Sequence, residues 1–83
     1  MKVLKFWATW CAPCRILKTT LNSFDACPME EINVDDDPEK KGETYSIRAL
    51  PTLVLVNDAG EELWRKTGVI TKAELDSIVK QHK

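Results

Sequence analysis

The chain has little glycine, proline or histidine and no long hydrophobic run. Its 83 residues include 3 glycines and 4 prolines, with no low-complexity stretch, which excludes the fibrous and disordered classes. No apolar segment approaches the roughly 20 residues that span a bilayer. Hydrophobic residues make up 43% of the chain and charged residues 30%. This balance predicts one globular domain over residues 1–83.

An excess of charge of either sign is also absent. Lys and Arg number 12 and Asp and Glu number 13, so the formal net charge is −1. A chain without a strong net field has nothing to concentrate nucleic acid or an anionic membrane at its surface. We therefore expect no nucleic-acid or membrane partner, and we expect the partners to be proteins or small thiols.

No export signal is apparent at the start of the sequence. The apolar stretch that begins at Val3 is interrupted by Lys5 before it is long enough for the core of a signal peptide. We therefore expect a cytoplasmic location. Most thiols are kept reduced in that compartment, where a pair of cysteines separated by two residues is more often catalytic than structural.

The most informative segment is Trp10–Cys14, with the sequence Trp-Cys-Ala-Pro-Cys, between a short apolar run and an amphipathic helical pattern. Two cysteines at a strand-to-helix turn can close a disulfide, and Cys11 then lies at the helix N-terminus. Unpaired N–H groups there favour the thiolate, which is the nucleophile in disulfide exchange. Cys14, one helical turn later, can attack the resulting mixed disulfide. The segment therefore predicts a redox-active dithiol.

Metal binding and a purely structural disulfide are alternative interpretations of this motif. A zinc site would need further ligands, and the candidates Cys27 and His82 are distant in the sequence. The acidic run Asp35–Asp37 lacks the ligand spacing of an EF-hand calcium loop. We expect no metal and no bound cofactor. A structural disulfide without catalytic function remains the second alternative.

The hydrophobic pattern predicts four strands. The expected strands are Val3–Trp7, Glu30–Val34, Thr52–Val56 and Glu61–Thr67. The third is the most apolar and is predicted to be central, covered on both faces. The short turn Asn57–Gly60 can connect only antiparallel neighbours, so the last two strands are expected to form a hairpin.

Three helices are expected between and after these strands, giving the order β-α-β-α-β-β-α. The first follows the cysteine motif and carries Leu17, Leu21 and Phe24 at helical spacing, with Ile16 and Thr20 beside them. The second is expected to begin with Asp37 as N-cap and Pro38 at the first position, and to fade near Tyr45. The third follows a capping box at Thr71–Glu74.

Four separate segments resemble those of the thioredoxin family in order and spacing. They are Phe6–Cys14, Asn33–Asp35, Tyr45–Thr52 and Gly68, and together they extend over essentially the whole chain. The resemblance implies an α/β, thioredoxin-like fold with a four-stranded mixed sheet in the order 2-1-3-4 and helices on both faces. It is a resemblance to a short form, because the family's first strand and helix have no counterpart in these residues. The second strand is therefore expected at an exposed sheet edge.

The resemblance also implies an activity, namely reduction of protein disulfides by a monomer. In it Cys11 would be the exposed nucleophile and Cys14 the more buried resolving thiol. A thioredoxin reductase would supply the electrons. No bound cofactor would be needed, because the dithiol itself carries them. Pro51 would be cis, and the backbone of Leu50 would pair with an extended substrate segment. The substrate groove would be lined by Trp10, Ala12, Pro13, Val34, Ala49, Leu50, Pro51, Thr67, Gly68 and Val69.

One pair of positions departs from the family pattern. Lys5 stands where thioredoxins usually carry a buried aspartate, and Glu31 stands where they carry its lysine partner. Our hypothesis is a Lys5–Glu31 pair beneath the active site that assists deprotonation of Cys14. The alternative is that Lys5 extends to solvent and has no catalytic role. Ala12 also replaces the usual glycine, and the reduction potential is the property that we expect this replacement to change most.

Two other functions remain as alternatives. The first is a glutaredoxin-like, glutathione-linked reductase, although the tyrosine-bearing motif and double glycine typical of that class are absent here. The second is a protein-binding module that acts independently of redox chemistry.

Overall fold

The structure, a computed structural model, describes residues 1–83 and has the expected element order β-α-β-α-β-β-α. The strands are β1 (Lys2–Trp7), β2 (Met29–Asn33), β3 (Thr52–Val56) and β4 (Glu62–Thr67). The helices are α1 (Ala12–Thr20), α2 (Lys41–Thr44) and α3 (Lys72–His82). Each strand boundary lies within one residue of its predicted position.

The four strands form one mixed sheet in the order β2-β1-β3-β4, as predicted. Strand β1 runs parallel to β2 because α1 and the segment after it carry the chain back across the sheet. Strand β1 is antiparallel to β3, and β3 and β4 form the predicted hairpin. Strand β2 is therefore at an edge of the sheet, also as predicted.

The core lies on both faces of the two central strands. Every residue of β3 is buried, which explains its unbroken apolar sequence. One face packs Val3 and Leu55 against Leu17 of α1 and Leu75 and Val79 of α3. The opposite face packs the residues Leu4, Phe6, Ile32, Val54 and Val56 against the segment around α2. Helices thus cover both faces, as predicted.

Helix α1 is shorter than the apolar spacing predicts, since it ends at Thr20 and not near Phe24. The Thr19 and Thr20 hydroxyls donate to backbone carbonyls four residues earlier, and the polar residues that follow favour turns. Leu21, the C-cap, is buried, and Phe24 packs against the core from the turn. Apolar contacts at helical spacing therefore did not require a continuous helix.

The start of α2 also differs from the prediction, because the helix begins at Lys41 and not at Pro38. Lys40 has a positive φ of 54° and separates the proline turn from the helix. The Asp37 carboxylate accepts the N–H groups of Lys41 at 3.0 Å and Gly42 at 2.8 Å. The prediction of Asp37 as the N-cap residue is therefore wrong, because Lys40 holds that position, although the Asp37 side chain accepts the two hydrogen bonds from the first turn.

The last helix begins as its capping box predicts. Thr71 is the N-cap of α3, and its hydroxyl oxygen accepts the Glu74 N–H at 3.1 Å. Helix α3 is the longest, with 11 residues. No helix has the length and apolar character needed to cross a membrane.

Glu30 on the edge strand β2 connects three elements. Its carboxylate accepts hydrogen bonds from Lys2 of β1, at 2.7 Å, and from Lys41 of α2. These hydrogen bonds hold the pKa of Glu30 below its ordinary value, and the same carboxylate raises the pKa of Lys41. The ionised form of Glu30 thus stabilises the edge of the sheet.

Glu30→Gln should therefore destabilise the protein in a pH-dependent way. Because the folded-state pKa is depressed, the stabilisation is present above the ordinary pKa of glutamate and is lost as the pH falls. At neutral pH we expect a loss of less than about 1 kcal/mol in the free energy of unfolding, since the pair is partly solvated. The loss should shrink below about pH 4, measured by urea denaturation. Asp25→Asn, which removes an exposed carboxylate, is the control, and a loss independent of pH would contradict the interpretation.

Candidate active site

The cysteine motif lies where the buried strand β1 passes into α1. A tight loop joins them, in which the Cys11 N–H donates to the Ala8 carbonyl at 3.2 Å. The Arg15 guanidinium donates to the Thr9 carbonyl at 2.8 Å and so ties the first turn of α1 to the loop. Pro13 lies in that first turn, where a backbone N–H has no intrahelical partner. The chain therefore delivers Cys11 to the helix N-terminus as its N-cap residue.

Cys11 and Cys14 are joined by a disulfide, with their Cα atoms 5.3 Å apart. The Cys14 backbone N–H donates to the Cys11 Sγ at 3.3 Å. A donor at a helix N-terminus stabilises negative charge on the atom it faces. The same geometry therefore favours a thiolate at Cys11 when the disulfide is reduced.

Both cysteines are nearly covered in this disulfide form, with exposed fractions of 5% for Cys11 and 3% for Cys14. The expectation of an exposed Cys11 is therefore wrong for the oxidised chain, although the order of exposure is as expected. The cause is local packing, because the two cysteines and Ala8 form a small cluster that Trp7, Val34 and Leu50 partly cover.

The segment before β3 closes one side of the cluster. The Leu50–Pro51 peptide bond is cis, and Leu50 packs against the cysteine cluster. The Pro51 carbonyl accepts the Gly68 N–H at 2.8 Å. The Thr52 hydroxyl donates to the Ala49 carbonyl at 2.7 Å and lies 3.2 Å from the Thr67 hydroxyl. These bonds connect the Pro51 segment to the end of β4.

The residues expected to line a substrate groove differ in exposure. Trp10 and Val69 are among the most exposed large apolar side chains, at 67% and 43%, and the Trp10 indole N–H donates to Asp35 at 2.9 Å. Val34 and Leu50 are half-buried against the cysteines, and Pro51 is buried. Gly68 is half-buried. The exposed remainder consists of Ala12, Pro13, Ala49 and Thr67.

Ile16 is an exposed residue that the sequence pattern placed beside the apolar stripe of the first helix. It follows Cys14 by two residues on α1 and is 58% exposed. Its exposure agrees with its position beside, and not on, the stripe formed by Cys14, Leu17 and Leu21, which are buried. Ile16 and Trp10 together place two large apolar side chains on the surface near the disulfide in the sequence.

The Lys5–Glu31 pair is present. The two residues are neighbours on β1 and β2, and the Lys5 Nζ lies 2.7 Å from a Glu31 carboxylate oxygen. Lys5 is only 3% exposed, whereas the Glu31 side chain is 45% exposed. The alternative in which Lys5 extends to solvent is therefore wrong. Both side chains line a cavity of about 270 Å³ that also reaches Cys14.

The third cysteine lies apart from this site. Cys27 is a half-buried free thiol that packs against the main core, and burial raises its pKa. His82 is exposed at the end of α3. No group of three or more His, Cys, Asp or Glu side chains lies in an arrangement that could hold a metal ion.

A disulfide-bonded cysteine pair at the N-terminus of a helix, on a mixed sheet of this topology, defines a thiol–disulfide oxidoreductase. The thioredoxin family model matches residues 1–81. The chain belongs to the thioredoxin family, whose members are protein-disulfide oxidoreductases.

Curated relatives and solved structures agree with this assignment. The chain is 34% identical over 84 residues to thioredoxin of Chlamydia caviae, covering 96% of this chain and 80% of the relative. It is 33% identical over 82 residues to thioredoxin of Listeria monocytogenes, covering 93% and 78%. Among solved structures, a mutant thioredoxin from Halobacterium salinarum superposes with a TM-score of 0.85 at 26% identity, covering 96% and 72%. Thioredoxin of Fasciola hepatica gives 0.78 at 29% identity, covering 99% and 80%.

Gly68→Ala should destabilise the site, because Gly68 has a φ of +100°, where a side chain is strained. No atom lies within 4 Å of the added Cβ, so the cost is conformational and we expect about 1–3 kcal/mol in the free energy of unfolding. Gly42→Ala is the matched control, since Gly42 lies in α2 and alanine favours helix there. Urea denaturation should show a loss for Gly68→Ala alone. Equal stability of the two variants would contradict this account of Gly68.

Proposed function

We propose that this protein reduces disulfide bonds in other proteins, with Cys11 as the nucleophile and Cys14 as the resolving thiol. The observation that carries the proposal is the hydrogen bond from the Cys14 N–H to the Cys11 Sγ at the start of α1. It gives Cys11 a donor for negative charge and places Cys14 one turn away on the same helix. Attack and resolution can therefore take place within one rigid element.

The exchange has two steps. The Cys11 thiolate attacks one sulfur of the client disulfide, so that a Cys11–client disulfide forms and one client sulfur leaves as a thiolate. Cys14 then loses its proton and attacks the Cys11 Sγ, which closes the Cys11–Cys14 disulfide and releases the second client thiolate. Two electrons pass from the dithiol to the client. The two protons of the original dithiol balance those that the two client thiolates take up.

The surroundings of the two cysteines support this division of roles. Cys11 is flanked by the exposed residues Trp10 and Ala12, so a partner approaches it from the surface. Cys14 lines the inward cavity and is flanked by Arg15 within the helix. Although both cysteines are nearly covered in the disulfide form, Cys11 lies between exposed residues, which suits attack on a client, whereas Cys14 borders the cavity, which suits intramolecular resolution.

We infer that the client binds as an extended segment over the apolar surface around Cys11. The supporting features are Trp10 and Val69, which are exposed, and Leu50, which packs on the cysteine cluster beside the Pro51 segment. Such a surface contacts many sequences through apolar area and main-chain hydrogen bonds. Broad selectivity among unfolded or flexible disulfide-containing segments follows.

The proposal extends to the electron donor and the cellular setting. We infer that a thioredoxin reductase re-reduces the Cys11–Cys14 disulfide with electrons from NADPH, because the relatives to which the chain is similar are thioredoxins. The protein would act as a single-domain monomer over residues 1–83. A reducing compartment such as the cytoplasm would suit net transfer of electrons to clients.

Replacement of each cysteine separates the two roles. Cys11→Ser should abolish NADPH-dependent reduction of a disulfide-containing protein, because no nucleophile remains. Cys14→Ser should instead accumulate a covalent complex with the client, detected by non-reducing electrophoresis and mass spectrometry. Cys27→Ser is the control and should retain full turnover, since Cys27 packs against the core away from the pair. Full turnover by the Cys11→Ser protein would refute the assignment.

The electron donor can be tested with the oxidised wild-type protein. We expect rapid reduction of the Cys11–Cys14 disulfide by a thioredoxin reductase with NADPH, and slow reduction by glutathione alone, followed by alkylation and mass spectrometry. Efficient turnover with glutathione and glutathione reductase, without thioredoxin reductase, would instead assign the protein to the glutaredoxin-like alternative. A phenotype that persists with both Cys11 and Cys14 replaced by serine would indicate the redox-independent binding function.

A further inference from the structure

A buried lysine shares a cavity with the resolving cysteine. Lys5 lies in the central part of β1, between Leu4 and Phe6, where an unpaired ammonium would be costly. Its partner is Glu31 on the neighbouring strand, at 2.7 Å. The cavity of about 270 Å³ that Lys5 and Glu31 line is also lined by Cys14. The ion pair and the second sulfur of the site therefore line the same small, partly open cavity.

The charges around this cavity are unequal. The cations are Lys5 on β1 and Arg15 and Lys18 on α1, and the only anion is Glu31 on β2. The neighbour of Lys5 on β3 is Leu53, which is uncharged. The cavity is thus lined by three cations and only one carboxylate.

Burial decides which of these charges dominates at Cys14. Lys5 is 3% exposed, so little solvent screens its field in the protein interior. Glu31 is 45% exposed, and Arg15 and Lys18 are also exposed, so water and salt weaken the effect of all three. The ammonium of Lys5 is therefore the least screened of the four charges around the cavity that Cys14 lines.

We propose that Lys5 is a positioning residue that stabilises the Cys14 thiolate across this cavity, while Glu31 holds the Lys5 ammonium in place. The inference rests on the proposed function, in which Cys14 is the resolving thiol. The proton that leaves Cys14 passes to water at the open side of the cavity, where Glu31 is exposed. A buried cation here favours ionisation of Cys14, whereas a buried carboxylate at the same position would oppose it.

Ionisation of Cys14 can be measured in a chain that contains no other thiol. In the Cys11→Ser, Cys27→Ala background, we expect Lys5→Met to shift the midpoint of Cys14 ionisation upward by about 1–3 pH units, read from thiolate ultraviolet absorbance. Methionine has a similar length and no charge, and it leaves Glu31 free to be solvated, so the fold should persist. Lys80→Met on the exposed side of α3 is the control and should leave the midpoint unchanged. An unchanged midpoint in the Lys5→Met protein overturns the proposal.

Exchange of the two charges supplies a second variant that keeps an ion pair. In the same background, the double substitution Lys5→Glu with Glu31→Lys places the carboxylate at the buried position. We expect an ionisation midpoint above that of the starting background, because the buried charge now has the opposite sign. A midpoint at or below the starting value overturns the proposal even if the Lys5→Met protein fails to fold.

The effect on resolution distinguishes Lys5 from a residue that only supports the fold. A rise of one pH unit in the Cys14 midpoint lowers its thiolate fraction about tenfold at a pH below the midpoint, but the more basic thiolate is about threefold more nucleophilic. Release of the client from its Cys11 disulfide should therefore be about threefold slower for each pH unit by which Lys5→Met raises the midpoint, with the pH profile displaced to the alkaline side.

The two proposals fail in different ways. If Cys11→Ser retains turnover, the proposed function is wrong whatever the ionisation measurement shows. If Cys11→Ser is inactive but the Cys14 midpoint is the same with Lys5 or Met at that position, the proposed function stands and this inference alone is wrong.

Discussion

The functional site depends on one junction, at which a strand with four buried central residues passes through a tight loop into a helix. Because β1 is packed on both faces, its end at Trp7 is held firmly, and only Ala8, Thr9 and Trp10 separate it from Cys11. The unpaired N–H groups of the first turn of α1 therefore lie at Cys11, and the Cys14 N–H donates to the Cys11 sulfur. The position of the helix N-terminus thus favours the thiolate form of the Cys11 sulfur.

The same strand brings a charge to the site. Residues of β1 alternate between the two core faces, yet Lys5 lies among them because Glu31 on the parallel neighbour supplies a partner at the adjacent position. In this arrangement the buried member of the pair is the cation and the solvated member is the carboxylate. An ion pair would be present in either arrangement. The interior of this site differs from one built around a buried acid because the buried member of the pair is the cation.

Much of the fold could be predicted because the relevant signals are local. The apolar run Thr52–Val56 predicted a central strand, and the turn at Asn57–Gly60 predicted a hairpin. Element ends were less predictable, since Leu21 and Phe24 reach the core from turns and not from helix. Exposure was less predictable still, because Cys11 is covered in part by Val34 and Leu50, which follow it at long distance in the chain.

The sequence by itself determined the cysteine spacing and the element order, because residue type, spacing and periodicity are carried by the chain locally. The two charged residues beneath the site were identified through the resemblance to the family pattern. Only the tertiary structure decided how far each group is removed from water. The exposure of Ile16, the covering of Cys11 and the burial of Lys5 but not Glu31 all depend on which surfaces meet when the sheet and helices pack. Solvent access depends on packing between elements that are distant in the chain, so it cannot be predicted from any single segment.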